Sequence, residues 1–188
     1  GAIAAAFVNN WKFGKHKRLA AGIGVRYTAY TGVKTNFITA PARLARTSTT
    51  PVLIVFAGQR KDYQDTLTVQ RPLTHSLNAT INLGYYFNTH WDGGFNIDLV
   101  GFTIGRNTSA ILTSNGNTRI EPNSKPAGFN LLLTGDHDYG TLNSEFFVRY
   151  KLNKKWGIKA VYQFLFIEYK TSSIKQTAPD GTIVTRFR

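Results

Sequence analysis

Between Leu77 and Asn88 apolar and polar side chains change places at every residue. Leu77, Ala79, Ile81, Leu83, Tyr85 and Phe87 take the odd positions, and Asn78, Thr80, Asn82, Gly84, Tyr86 and Asn88 the even ones. A period of two marks a strand with one apolar and one polar face. Turn residues fill 88–94. Phe95, Ile97 and Leu99 then alternate with Asn96, Asp98 and Val100 and lead into 101–105. Residues 76–105 therefore predict a hairpin of two long strands.

Two more hairpins have the same form. Residues 2–13 end with Trp11 and Phe13 on one side and Asn10 and Lys12 on the other. A basic turn at 14–17 follows, and 18–32 alternates again with Leu19, Ala21, Ile23, Val25, Tyr27 and Ala29 on one face. Residues 141–153 and 156–171 are joined by Asn153, Lys154 and Lys155; their apolar faces carry Phe146, Val148 and Tyr150, and Trp156, Ile158, Tyr162 and Phe164. The three short turns share aromatic flanks, a weak internal repeat. The chain between the hairpins reads as long loops, about 33–74 and 106–140. Within the first, 52–56 and 66–70 are expected to pair as a small hairpin; in the second, 129–133 reads as a rim segment.

Strand length then selects among all-β folds. Soluble sheets use strands of about 5–6 residues, whereas these need roughly 11, close to the 9–11 tilted residues that cross a bilayer. With short and long connections in turn, the pattern predicts an antiparallel up-and-down transmembrane β-barrel. Six full-length strands are legible in 1–188, and about 8 is the smallest bacterial barrel. The expectation is a single barrel domain over 1–188, eight-stranded when complete, with strands missing or incomplete before Gly1 and after Arg188.

Composition sharpens this picture. Hydrophobic residues make up 42% of 188, enough for a core, yet no apolar window is long enough for a membrane helix. There is no cysteine, so a disulfide framework and a thiolate metal site are excluded. The chain has no methionine and no signal peptide, which reads as a mature, trimmed or incomplete segment. Lys and Arg number 23 against 10 Asp and Glu, a formal charge of +13 that calls for anionic surroundings. The excess is scattered over turns and loops, not gathered on one motif, which favours an anionic lipid surface over nucleic acid.

Having these segments in view, the chain resembles the small outer-membrane β-barrel proteins of Bacteroidota. The likeness rests on Phe7-Val-Asn-Asn-Trp-Lys-Phe, Ser76-Leu-Asn-Ala-Thr-Ile-Asn-Leu, Gly94-Phe-Asn-Ile-Asp-Leu-Val-Gly-Phe, Leu142-Asn-Ser-Glu-Phe-Phe-Val-Arg-Tyr and Gln163-Phe-Leu-Phe-Ile-Glu-Tyr. It covers most of the chain, and its motifs are architectural. The resemblance implies a bacterial outer-membrane location, a signal peptide and a terminal strand ending in an aromatic; the sequence contains neither of the last two.

Candidate chemistry follows from the alternation. With apolar faces to lipid, the lumen receives Arg26, Asn78, Asn82, Asn96, Asp98, Asn143, Glu145, Arg149, Lys151, Lys159 and Gln163. Buried charges need partners, so Asp98 and Glu145 are expected to pair with Arg26, Arg149 and Lys159 in a closed lumen network. Trp11, Phe13, Tyr85, Phe87, Trp91, Tyr150 and Trp156 lie beside short turns, where a membrane-interface belt is expected. Arg43, Arg46, Arg60, Lys61, Arg71, Arg106 and Arg119 in the long loops offer contacts to lipid phosphates or an acidic partner. Asp136-His137-Asp138 is a compact acid and imidazole cluster, but adjacent loop residues do not all face one substrate, and Asp, His and Gly there also make ordinary turns. His16, His75 and His90 lack ligand spacing. No catalytic residue, metal or cofactor is expected.

The function expected from sequence is thus a structural, binding or accessory role in the outer membrane. Its partners would be lipid and lipopolysaccharide, other outer-membrane proteins in a larger complex, and no nucleic acid. One rival is a lipid-modifying or proteolytic barrel enzyme using His137. Another is a soluble basic lipocalin-like protein that binds acidic ligands.

Overall fold

Two of the three predicted short turns are closed by their own side chains. In the computed structural model, which describes residues 1–40, 58, 65–114, 116–132, 138–177 and 181–188, Asn88 Oδ1 accepts from the backbone N–H groups of His90 (2.9 Å) and Trp91 (2.8 Å). Asn153 Oδ1 does the same for Lys155 (2.8 Å) and Trp156 (2.9 Å). These are Asx turns, a side chain standing in for a backbone carbonyl. The first turn instead uses Gly14 and Lys17 at positive φ, 85° and 52°, with Lys17 N–H donating to Gly14 O at 3.0 Å.

The strands these turns join are β1 (Ala2–Phe13), β2 (Leu19–Thr31), β3 (Lys34–Ala40), β4 (Thr66–Gln70), β5 (Leu73–Tyr86), β6 (Trp91–Gly105), β7 (Thr108–Ser114) and β8 (Asn117–Pro126). They continue with β9 (Phe129–Leu131), β10 (Leu142–Lys151), β11 (Gly157–Phe166), β12 (Tyr169–Lys170), β13 (Gln176–Thr177), β14 (Ile183–Val184) and β15 (Arg186–Phe187). The long strands form one antiparallel sheet in the order β1-β2-β5-β6-β10-β11, with β9 added on β6. Register runs from Ala2↔Tyr30 to Phe13↔Leu19 between β1 and β2, and from Leu19↔Tyr85 to Thr31↔Leu73 between β2 and β5. One irregularity, at Ala79/Thr80, interrupts the β5–β6 ladder. The ladders pack closely here: a Cβ on Gly94 would stand 2.2 Å from Leu83 O.

A second unit stacks on the end of this sheet. β2 passes into β3 through Gly32 and Val33, β4 into β5 through Arg71 (φ 44°) and Pro72, and β6 into β7 through Arg106 and Asn107. There the strands close into a six-stranded antiparallel barrel, β12-β15-β3-β4-β7-β8. Its interior is apolar: Phe37, Leu67, Val69, Ala110, Leu112, Ile167, Tyr169 and Phe187 form one buried cluster. Lys34, Asn36, Ser109 and Thr113 alternate outward to the exposed surface. β13 and β14 form a small separate ribbon.

This architecture overturns the predicted eight-stranded up-and-down transmembrane barrel. The closed barrel has six strands, and they carry their apolar side chains inward, the reverse of a polar lumen behind a lipid-facing wall. Five of them have between 2 and 7 residues, short of the about 9–11 that cross a bilayer. Among the described residues the long strands do not close; β1 and β11 are each paired on one side only. Open edges have no hydrogen-bonding partner in hydrocarbon. The bilayer location, the outer-membrane accessory role and the lipid and lipopolysaccharide partners are corrected with the fold. No helix among the described residues is long and apolar enough to cross a membrane.

The predicted loops are corrected as well. β3 and β4 lie within 33–74, and β7, β8 and β9 within 106–140. Residues 66–70 do form a strand, β4, paired with β3 and β7; their expected partner, 52–56, lies outside the described residues.

Candidate functional site

The period-two pattern of the long strands delivers one set of side chains to the concave face of the sheet. β2 contributes Arg26 and Thr28; β5 contributes Ser76, Asn78, Thr80 and Asn82; β6 contributes Asn96 and Asp98; β10 contributes Asn143 and Glu145. All are buried. Curvature of the sheet lets Arg26 reach across β5 and β6. Its Nη1 lies 3.3 Å from Asp98 Oδ1 and donates to Asn143 O at 2.9 Å, and its Nη2 lies 3.6 Å from Glu145 Oε1. Lys159 Nζ on β11 and Asn96 Nδ2 both donate to Glu145 Oε1.

Asn78 knits the centre of this floor. Its Nδ2 donates to Asp98 Oδ2 (2.7 Å) and Thr141 O (3.1 Å), while its Oδ1 accepts from Asn130 Nδ2 (2.7 Å). Asn143 N–H donates to Asp98 Oδ2 at 3.0 Å. Among the described residues Asn82 Oδ1, Asn96 Oδ1, Asn143 Oδ1 and Thr141 Oγ1 nonetheless have no hydrogen-bond partner, and Arg26 Nη2 and Asp98 Oδ1 have only their ion-pair contacts.

The two carboxylates respond oppositely to this setting. Burial pushes the Asp98 carboxyl up to about 6, and the opposing pull of Arg26, Asn78 and the Asn143 N–H does not offset it. Burial acts on Glu145 too, but there the hydrogen bonds from Lys159 and Asn96 and the charges of Arg26 and Lys159 prevail, and its carboxyl lies below the usual value.

Of the residues singled out by alternation, Arg26, Asp98, Glu145 and Lys159 come together. Arg149 does not join them. It sits opposite Asp92 in the β10–β6 ladder and donates Nε to Asp92 Oδ1 (3.0 Å) and Nη2 to Asp92 Oδ2 (3.1 Å). Lys151 Nζ is 3.1 Å from the same carboxylate. Nearby, the ammonium groups of Lys12 and Lys151 lie 4.0 and 4.3 Å from the centre of the Tyr86 ring. Tyr86 stands at an even, polar-face position as the alternation expects, whereas Asp92 falls within the expected turn 88–94; its even position, shared with Asn96 and Asp98, is the signal that places it on this face.

Trp11, Phe13, Tyr85, Phe87, Trp91, Tyr150 and Trp156 are all exposed on the outer side, near the short turns. Two pairs of them are in ring contact, with Tyr85–Phe87 centroids 5.4 Å apart and Trp91–Tyr150 centroids 4.9 Å apart. With the lipid wall overturned, they form an aromatic surface and no membrane belt.

Asp136 and His137 lie outside the described residues, as do Arg43, Arg46, Arg60 and Lys61. Asp138 contributes its backbone carbonyl to Arg186 Nη2 at 2.6 Å. His75 Nδ1 and the Tyr27 hydroxyl are 2.6 Å apart, and His90 stacks on Tyr150. Among the described residues no group of three or more His, Cys, Asp and Glu is placed to hold a metal.

A second buried polar cluster, unforeseen from the sequence, holds the six-stranded barrel shut. Glu168, fully buried, accepts from Arg186 Nε (2.8 Å) and Nη2 (2.7 Å) and from Arg188 Nη2 (3.3 Å). Lys170 Nζ donates to the Tyr139 hydroxyl. On β8, the neighbour of β12, Glu121 accepts backbone N–H bonds from Asn123, Ser173 and Ile174; these outweigh its burial and hold its carboxyl below the usual value.

Comparison with protein-family models, curated proteins and solved structures gave no match. The resemblance to Bacteroidota outer-membrane barrels is therefore left with architectural segments alone, and the closed six-stranded barrel with its inward apolar core corrects it.

Proposed function

We propose that this chain is a basic, non-catalytic binding protein, of the lipocalin-like kind in its barrel architecture, that takes a polar anionic ligand on the concave face of the long sheet. The observation that carries the reading is Arg26, fully buried at the floor, whose Nη2 has only a 3.6 Å ion-pair contact with Glu145 Oε1 and no hydrogen bond among the described residues. Lys159 joins it through Glu145, and nearer the short turns of the same face Arg149 and Lys151 share the single carboxylate of Asp92 while Lys12 and Lys151 lie against the Tyr86 ring, so cations outnumber carboxylates along the face. The face is lined with amides and hydroxyls, which suits a ligand rich in hydrogen-bonding groups over an aliphatic one. The formal charge of +13 favours an anion by long-range attraction.

The test is thermal melting with citrate, inorganic phosphate and a sugar phosphate, at low and at physiological salt. One anion is expected to raise the melting temperature saturably, and the rise should shrink with added sodium chloride. In the Lys12→Ala, Lys151→Ala double variant its affinity should fall by about tenfold or more. An equal response to all three anions, or a response unchanged in the double variant, would rule the site out.

A further inference from the structure

A nearly bare row crosses the concave face. Register aligns Ala20 of β2, Gly84 of β5 and Gly94 of β6 on three neighbouring strands, with Lys12 of β1 at one end and Phe147 of β10 at the other. At a strand spacing of about 4.8 Å, the bare part is roughly 10 Å across. The two glycines are bare for different reasons. A Cβ on Gly94 would stand 2.2 Å from Leu83 O, so close ladder packing demands glycine there. A Cβ on Gly84 would meet nothing nearer than Gly93 O at 3.6 Å and Ala20 Cβ at 3.8 Å. The strand has room for a side chain at 84, and the sequence leaves it out.

Polar rows flank this floor two residues away along each strand, and they differ in what they offer. Towards the short turns stand Tyr86, Asp92 and Arg149, in register on β5, β6 and β10. With Lys12 and Lys151 at the Tyr86 ring, three cations gather there against the one carboxylate of Asp92, which leaves two positive charges over. On the other side Asn82 and Asn96 face each other across the β5–β6 ladder, 6 and 5% exposed. Asn82 Nδ2 donates to Asn10 Oδ1 and Asn96 Nδ2 to Glu145 Oε1, so both amide nitrogens are committed. Their oxygens have no hydrogen-bond partner among the described residues. A carbonyl oxygen is satisfied only by a donor. The floor thus lies between a place for a dianion and a pair of acceptors for hydroxyl groups.

We propose that the ligand of this face is a phosphorylated monosaccharide whose ring lies over Gly84, with its phosphate among Lys12, Arg149 and Lys151 and its hydroxyls donating to Asn82 and Asn96. The inference rests on the anionic-ligand reading and names the class of that ligand. A phosphate monoester is close to a dianion at neutral pH and matches the two charges left over, where a single carboxylate would match one. The Arg149 guanidinium and the two ammonium groups are the donors that phosphate oxygens take best. Inorganic phosphate satisfies the cations and leaves the two amide oxygens without donors; a neutral sugar does the reverse. Arg26, opposite Asn78 in the β2–β5 register, lies deeper than Asn82 and closes the far end with Asp98 and Glu145.

The experiment is titration calorimetry on the full chain with glucose-6-phosphate, inorganic phosphate, citrate and glucose. Glucose-6-phosphate is expected to bind at one site, about tenfold or more tighter than each of the others. Gly84→Val puts a side chain on the floor where the backbone has room for a Cβ, and it should weaken the sugar phosphate by about tenfold; a melting temperature near that of the parent shows that the variant folds. Asn82→Ala removes an acceptor without filling the floor and should weaken it by about threefold or more. Undiminished affinity in either variant that folds overturns the proposal. Citrate or inorganic phosphate bound more tightly than glucose-6-phosphate, and weakened in the Lys12→Ala, Lys151→Ala double variant, overturns the sugar phosphate and leaves the anion site standing. Absence of saturable binding by all four takes the anion site down as well.

Discussion

At the scale of single residues, Arg26, Asp98 and Glu145 show how one cation divides its influence. Asp98 is the more deeply enclosed carboxylate, and burial lifts it from 3.8 to about 6 in the folded chain. A carboxyl raised on folding binds its proton more tightly in the native state than in the unfolded one. Its contribution is most favourable below about pH 4 and is lost as pH climbs towards 6, by about 3 kcal/mol at most. Asp98→Asn should remove that decline. Urea unfolding from about pH 4 to 7 is expected to give a flatter profile for the variant, although its absolute stability falls because Arg26 loses a buried partner. Parallel profiles for the two proteins would refute this. Glu145 acts in the other direction and in a lower window: its contribution is present above its ordinary value of 4.5 and is lost as pH falls through its lower native value.

The membership of this cluster was partly readable from sequence. Arg26, Asp98, Glu145 and Lys159 all fall at inward positions of period-two strands, and a buried charge has to find an opposite one. Arg149 obeyed the same rule but met a nearer partner. Asp92 faces it directly across the β10–β6 ladder, although the composition of 88–94 reads as a turn. Its strand, β6, begins one residue earlier, at Trp91. A boundary misplaced by a few residues thus moved one ion pair out of the expected network.

At the scale of elements, legibility followed length and apolar alternation together: β8 is as long as β10 and β11 but, as Asn117-Thr-Arg-Ile-Glu-Pro-Asn-Ser-Lys-Pro, carries no apolar face to reveal it. β1, β2, β5, β6, β10 and β11 have between 10 and 15 residues, enough turns of the alternation to stand out. β3, β4 and β7 have 7, 5 and 7 residues and are rich in Thr, Asn and Ser, a composition shared with loops. β12 and β15 have 2 each, below any periodic signal. Yet β15 closes the barrel, bridging β12 and β3, and its attachment depends on Glu168. Glu168→Gln should cost about 3 kcal/mol, since it leaves Arg186 and Arg188 without the buried carboxylate that fixes them. Chemical denaturation measures the loss. In the same variant the Ile38 and Arg188 amides, which bond to each other's carbonyls, should exchange faster while the β1–β2 ladder is unaffected; uniform acceleration throughout the chain would contradict a local clasp.

At the scale of the whole molecule, two units of opposite polarity are joined by two-residue links between successive strands. The six-stranded barrel keeps Phe37, Leu67, Val69 and Phe187 inside, whereas the open sheet turns Arg26, Asn78 and Asp98 inward and leaves Phe7, Ile23, Phe102 and Ile104 exposed. The net charge belongs to this scale as well. With 23 basic and 10 acidic side chains, self-repulsion opposes the compact state, and screening it should help. Raising sodium chloride from about 10 to 150 mM is expected to raise the melting temperature, because the Debye length contracts from about 30 to 8 Å. A fall in melting temperature would mean that the ion pairs around Asp92 and Glu168 outweigh the net repulsion.

By itself the sequence determined which residues share a face, where the three tight turns lie and which charges need partners. All of these follow from neighbours within a few positions, through the two-residue period of a strand and the hydrogen-bonding reach of an asparagine side chain. Tertiary structure alone decided how many strands close, which face of each becomes the interior and which edges stay open. Those depend on pairings between distant segments, β15 with β3 and β8 with β12, whose backbone bonds carry no sequence signature and form only once the chain has folded around an apolar core. Alternation names two faces of a strand; only closure tells which one is inside.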